Sequence, residues 1–279
     1  MPTELAAALL GLASGMFWGT GDFFGGVASR RFSHYAVVFF GQSIGTAALL
    51  TFTLLTGAPL PPVSDLLLGA AGGLFGAFGL LMFYRALSTT KMSVVAPITA
   101  VLTALIPVVA AIALEGVPQP LQFIGMAVAI LAIFLISRED NTRIRLADLY
   151  LPMLAGLGFG LYLMFIARAT TVSPLWPIIF GRFASVTMVG LISWRMGVLK
   201  RPDWPELRLI AASGLFDTAG NTFYAFAAQV GRDDIAAILS SLYPAATVGL
   251  AWLFLKERLH PVQWAGVALA LAAIVLITL

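Results

Sequence analysis

Apolar residues run along the chain in ten long stretches, each holding few polar positions and each separated from the next by short punctuation rich in Pro, Gly or charge. The stretches are 5 to 28, 35 to 56, 66 to 87, 93 to 114, 121 to 137, 149 to 168, 175 to 197, 207 to 229, 235 to 255 and 262 to 279. A helix that crosses a bilayer needs about 20 mainly apolar residues, whereas barrel strands alternate apolar and polar over about 10. These segments are apolar throughout and far longer than such strands. The pattern predicts an all-α integral membrane protein of ten transmembrane helices. Only Met1 to Glu4 precede the first stretch, without a basic leader, so it is read as a retained helix.

Composition agrees. Of 279 residues, 60% are hydrophobic and 10% charged, and the mean hydropathy is +0.96, far from an ordinary soluble domain. Little chain remains between the stretches, which excludes an appended catalytic domain. Cysteine is absent, so neither disulfides nor thiolate metal sites are available. The net charge of +3 says less than its distribution. Odd-numbered loops and their helix ends carry 13 Lys and Arg, among them Arg30, Arg31, Lys200 and Arg201, while even-numbered loops carry only Arg168 and Arg232. Because basic loops stay in the cytoplasm, the odd loops are expected inside and both termini outside.

The sequence also repeats itself. PLQFIGMAVAILAIFLI (120 to 136) lies over PVQWAGVALALAAIVLI (261 to 277), SHYAVVFFG (33 to 41) over SPLWPIIFG (173 to 181), and GLASG (11 to 15) over GLGFG (156 to 160). Residues 1–137 thus form one five-helix repeat, 138–148 a polar connecting loop, and 149–279 a second five-helix repeat. An odd number of helices per repeat forces the two halves into opposite orientations, the inverted repeat found in many secondary transporters.

On GMFWGTGDF (15 to 23), FYRALSTTKMSVVAP (83 to 97) and, most specifically, LYPAATVGLAWLFLKERLHPVQWAGVALALAAIVL (242 to 276), the chain resembles the EamA-type permeases of the drug/metabolite transporter superfamily. The resemblance covers essentially the whole chain, although the first half has EGV (115 to 117) where the second has ERL. It implies ten helices in two halves and export or exchange of small metabolites or drugs. Many relatives are described with both termini cytoplasmic, against the orientation given by the loop charges here.

An ionisable group at the bilayer centre costs at least about 2.5 kcal/mol, which makes each one a functional candidate. Away from helix ends there are three: Asp22, Arg182 and Asp217. Asp217 shares a helical stripe with Gly214, Asn221 and Tyr224, and Asp22 shares one with Gly15 and Trp18. The hairpin between the seventh and eighth segments sets Arg182 about 7 Å in depth from Asp217, within reach of a long side chain. Gln42 is the repeat's counterpart of Arg182, and Trp18, Tyr162 and Tyr243 fall near the expected midplane. The candidate substrate or coupling set is therefore Trp18, Asp22, Gln42, Tyr162, Arg182, Asp217, Asn221, Tyr224 and Tyr243. Each charge also has a plainer reading, Arg182 with Asp217 as a packing ion pair and Asp22 as a partner of Arg30 or Arg31.

Glycines spaced by four, such as Gly11, Gly15 and Gly19, or Gly69 and Gly73, are expected to let helices pack closely. Pro97, Pro107, Pro177 and Pro244 are expected to kink helices and free carbonyls. No nucleotide-binding loop and no intramembrane Ser–His, paired-Asp or His-cluster chemistry occurs, so neither an enzyme nor a cofactor or metal is expected. The expectation is a secondary transporter of small organic metabolites or drugs in the cytoplasmic membrane, working by alternating access, with proton coupling as the candidate drive and outward transport as the direction that the family resemblance implies; the alternatives are a passive facilitator or exchanger and, further off, an intramembrane enzyme. Its partners are a small-molecule substrate and membrane lipid, with no nucleic acid, and an internal repeat allows a functional monomer.

Overall fold

The computed structural model describes residues 3–89, 120–136, 150–169, 171–255 and 261–278, with positions 95–96, 99–100, 102–104 and 106 of the fourth predicted segment. The helices are α1 (Thr3–Ser29), α2 (His34–Thr56), α3 (Val63–Thr89), α4 (Pro120–Ile136), α5 (Tyr150–Arg168), α6 (Leu175–Arg195), α7 (Trp204–Val230), α8 (Asp233–Ser240), α9 (Tyr243–Leu255) and α10 (Pro261–Thr278). The described residues contain no strand. Helix is the expected outcome, since backbone groups in hydrocarbon must be satisfied within the segment. Four helices are long and apolar enough to cross a membrane by those criteria alone: His34–Thr56, Val63–Ser88, Tyr150–Arg168 and Leu175–Arg195. At 27 residues each, α1 and α7 are also long enough, but Asp22 on one and Asp217 and Asn221 on the other lower their hydropathy.

Polar groups lie inside and large apolar ones outside. Gln42, Thr46, Arg182, Ser185, Ser213 and Asn221 are buried, whereas Leu55, Phe134, Leu191 and Leu253 face outward. Several buried hydroxyls are satisfied locally, for example Thr46 on the Gln42 carbonyl at 2.6 Å and Thr218 on that of Gly214 at 2.7 Å.

Glycines set how closely helices approach. Gly41 of α2 lies against Gly214 of α7, where a Cβ on Gly214 would collide with the Gly41 carbonyl. Gly73 of α3 lies in the same way against Gly181 of α6. These contacts are counterparts under the sequence repeat, since Gly41 aligns with Gly181. Other pairings follow the same rule. The bonds Ser14 to Gly220 and Trp18 to Asn221, and the contact of Gly25 with Ser213, run α1 antiparallel to α7. Gly72 against Phe165 and Gly79 against Ala155 do so for α3 and α5. Gly11, Gly15 and Gly19 climb α8 and α9 at Ala236, Ser240 and Tyr243, as Gly156 and Gly160 climb Leu102 and Ile106. Even the ends match: α2 and α6 stop at Gly57 (φ 63°) and Gly197 (φ 65°), each followed by a bond from the next N–H to a carbonyl five residues back.

The ninth predicted segment, 235 to 255, is two helices rather than one, broken at Ser241 and Leu242. Pro244 is the second residue of α9, and Pro177 the third of α6, so neither kinks a helix from within. In a first turn the missing N–H has no partner to lose. Pro97, Pro107, Glu115, Glu257 and His260 lie outside the described residues.

Gly214→Ala is expected to lower the thermal unfolding midpoint in detergent, with about 1–3 kcal/mol of overpacking. Gly249→Ala, with nothing within 4 Å of the added carbon, is expected to leave it unchanged or slightly raised.

Candidate functional site

The helices line a partly open cavity whose interior measures about 70 Å³, smaller than the sites that bury a drug-sized ligand. Its wall is built from α1, α2, α3, α5, α6, α7 and the first residue of α9, with Thr103 of the fourth segment. Eight of the nine sequence candidates line it: Trp18, Asp22, Gln42, Tyr162, Arg182, Asp217, Asn221 and Tyr243. Tyr224 does not. It is fully buried behind Trp18, with ring centroids 5.8 Å apart, and its hydroxyl donates to the Leu163 carbonyl at 3.1 Å. It supports the indole from the rear.

A polar chain crosses the wall. Arg182 Nη2 donates to Asp217 Oδ2 at 2.6 Å, and Asn221 Nδ2 donates to the same oxygen at 3.2 Å. Trp18 Nε1 then donates to Asn221 Oδ1, also at 3.2 Å. This chain links α6, α7 and α1, so residues of the two sequence halves form one network. Beside it, Ser185 Oγ donates to Gln42 Oε1. Arg182 is 4% exposed, and its Nε and Nη1, like the Tyr162 hydroxyl, have no hydrogen-bond partner among the described residues.

Asp22 lines the same cavity. It is paired with neither Arg30 nor Arg31, and the described residues give it no hydrogen bond or ion pair. Two carboxylates therefore share a cavity with a single guanidinium, and that guanidinium is engaged by Asp217.

Packed side chains lie toward both ends. Toward the even-numbered loops, Leu163, Ile166, Leu175, Ile178 and Tyr224 form an apolar cluster. Thr171 donates to Asp65 there, and Trp176 Nε1 to the Ala58 carbonyl at 3.0 Å. Toward the odd-numbered loops, Phe83, Tyr84, Val189 and Ile210 are buried in the other cluster, and Tyr84 Oη is 3.2 Å from Ser213 Oγ.

Sequence reasoning missed Thr103, Phe159 and Ser185 in the wall. Ser185 was recoverable, lying three residues after Arg182 on the same helical face. The other two carried no signal, since a Thr or a Phe is ordinary in any membrane helix. Gly73 and Gly76, spaced by four from Gly69 and Gly72, were expected only to pack, and they also line the cavity, as does Gly181.

Apolar exteriors and a polar interior with a cavity lined by both halves define a multi-pass α-helical membrane protein. The profile of the EamA-like transporter family matches residues 5–138 and again 146–279, and the chain belongs to that family of membrane transporters. A Pseudomonas aeruginosa protein described as an uncharacterized transporter is 34% identical over 125 residues. That match covers 40% of this chain and 38% of the relative, so it spans well under half of the relative's length. A crystal structure of a protein 17% identical superposes over 98% of both chains with a TM-score of 0.80, a likeness of fold alone.

Removing Asp217 strands the buried Arg182 charge, so Asp217→Asn should cost about 3–5 kcal/mol in thermal unfolding, and Arg182→Gln should cost less because Asp217 is only partly buried. The double variant is expected to lose clearly less than the sum, and additive losses would show that the two side chains do not interact.

Proposed function

We propose that the protein is a secondary transporter that exports small organic metabolites or drugs across the cytoplasmic membrane by alternating access, with Asp22 carrying the coupling proton or cation. The observation that carries this reading is the cavity that Asp22 lines together with the Arg182–Asp217 pair, without a hydrogen-bond or ion-pair partner of its own among the described residues. A carboxylate in such a site is costly unless it is used. Its protonation or ion pairing therefore changes the energy of the cavity more than any other event there.

The paired contacts across the halves support the mechanism. Two five-helix units of opposite direction, joined through glycine contacts, can rock about the site and expose it at one end and then the other. On this reading the apolar cluster at the even-loop end and the Tyr84–Ser213 contact at the other are the two seals. Trp18, Tyr162 and Tyr243 offer ring faces, Gln42 and Asn221 hydrogen bonds, and Arg182 two free donors. Export is the direction implied by the resemblance to EamA-type permeases, and both termini lie outside if the loop charges decide the orientation. One chain contains both halves of the site, so a monomer suffices.

In liposomes, Asp22→Asn should abolish transport driven by a pH gradient while keeping the wild-type unfolding midpoint. Substrate should be found by export-dependent resistance of overproducing cells to toxic amino acids, nucleosides and organic cations. Coupled transport by Asp22→Asn at the wild-type rate would remove Asp22 from the mechanism, and wild-type flux indifferent to any gradient would make the protein a passive facilitator.

A further inference from the structure

A second pocket, distant from the central cavity, opens on the basic face between the α1–α2 turn and the α6–α7 connection, with about 1000 Å³ of space including its mouth. Arg30, Arg31 and Lys200 line it together with Phe32, Ser33 and Val198. The three cations are exposed, and none forms an ion pair among the described residues. Membrane orientation requires basic residues on one side of the bilayer. It does not require them to converge on one concavity from two hairpins that lie about 170 residues apart in the chain, so this convergence needs its own explanation.

The depth of the pocket is marked by its surroundings. Trp194 and Trp204, 73% and 65% exposed, bracket the α6–α7 connection that supplies Lys200, and the Arg208 guanidinium lies 5.0 Å over the Trp204 ring. Exposed tryptophans at helix ends settle at the level of lipid headgroups. Met196 and Leu199 are exposed between them and extend the acyl-facing surface to the pocket's rim. An anion held there would meet positive charge from the pocket and hydrocarbon alongside it, the combination that a phospholipid presents.

We propose that this pocket binds the phosphate of an anionic phospholipid headgroup, with Arg30, Arg31 and Lys200 as its ligands. Arg can hold a phosphate through two parallel N–H bonds, and Lys adds a point charge. Arg30 and Arg31 belong to the first half of the chain and Lys200 to the second, so one lipid ties the halves together on the basic face. Nothing in this assignment depends on the substrate or on proton coupling.

The test uses the purified full chain, titrated by native mass spectrometry with phosphatidylglycerol and with phosphatidylcholine of the same acyl chains, and separately with sodium phosphate as the soluble source. Phosphatidylglycerol should bind at least about tenfold tighter than phosphatidylcholine, and inorganic phosphate should not displace it. Each cation removed should weaken binding on the order of fivefold, so Arg30→Gln with Lys200→Gln loses about 25-fold. Arg31→Gln with Lys200→Gln should lose as much, which guards against a folding defect in one pair, and thermal unfolding confirms that each variant is intact. Arg195→Gln with Arg208→Gln removes the same charge from the same face and should change binding little. Equal affinity for the two lipids overturns the proposal, as does an equal loss in this control. Displacement by inorganic phosphate at matched concentration also overturns it, by assigning the pocket to a soluble anion.

Discussion

A guanidinium in the interior of a membrane protein must be given an acceptor, and most of this structure can be understood from how Arg182 is given one. Its partner Asp217 is on the next helix, and the same carboxylate oxygen also takes the Asn221 amide, whose own oxygen takes the Trp18 indole. One charge thereby fixes the rotation of α6, α7 and α1 about their axes. Had α6 or α7 turned by one residue, the ion pair would break and leave the buried Arg182 charge unsatisfied, at a cost of several kcal/mol, and a turn of α1 would lose the Trp18–Asn221 bond. The same network leaves Arg182 Nε and Nη1 without a hydrogen-bond partner among the described residues, and Arg182, Asp217, Asn221 and Trp18 all line the cavity.

Glycine provides the proximity that this network needs. Where α2 meets α7, and α3 meets α6, the backbones touch at Gly41 with Gly214 and at Gly73 with Gly181. Without a hydrophobic drive between helices in lipid, such small-residue contacts supply packing energy through close approach. Because the two contacts are counterparts under the repeat, the halves meet at two similar seams with the cavity between them. The break before Pro244 adds an irregular backbone at the same level, next to Tyr243 in the wall, in keeping with the rule that non-helical backbone at membrane depth is buried in protein.

Much of this was legible in the sequence. Apolar run length located the helices, and intramembrane charge located Asp22, Arg182 and Asp217, because hydrocarbon penalises exceptions to both rules. Gln42 was found through the repeat alone. What could not be read was which side of an aromatic ring meets the cavity: Tyr224 shares the helical stripe of Asp217 and Asn221, yet it sits behind Trp18, since stripe membership gives a direction but not what occupies the space in front. The helix break at Ser241 was also hidden, as a proline in an apolar run does not reveal whether it opens a first turn or bends a long helix. Phe159 and Thr103 could be assigned only once three-dimensional neighbours were known.

The basic pocket and the central cavity divide the charged residues by purpose, with paired or enclosed charges inside and converging unpaired ones at the headgroup level. The central claim is that the cavity shared by the halves opens to water during the cycle. Wild-type protein contains no cysteine, so a single Ser185→Cys reports on the cavity wall without background. In sealed vesicles that thiol should react with a membrane-impermeant reagent, whereas Leu191→Cys, outward on the same helix, should stay unreactive in lipid. A Ser185→Cys thiol that is inert to reagent added on either side would contradict the account.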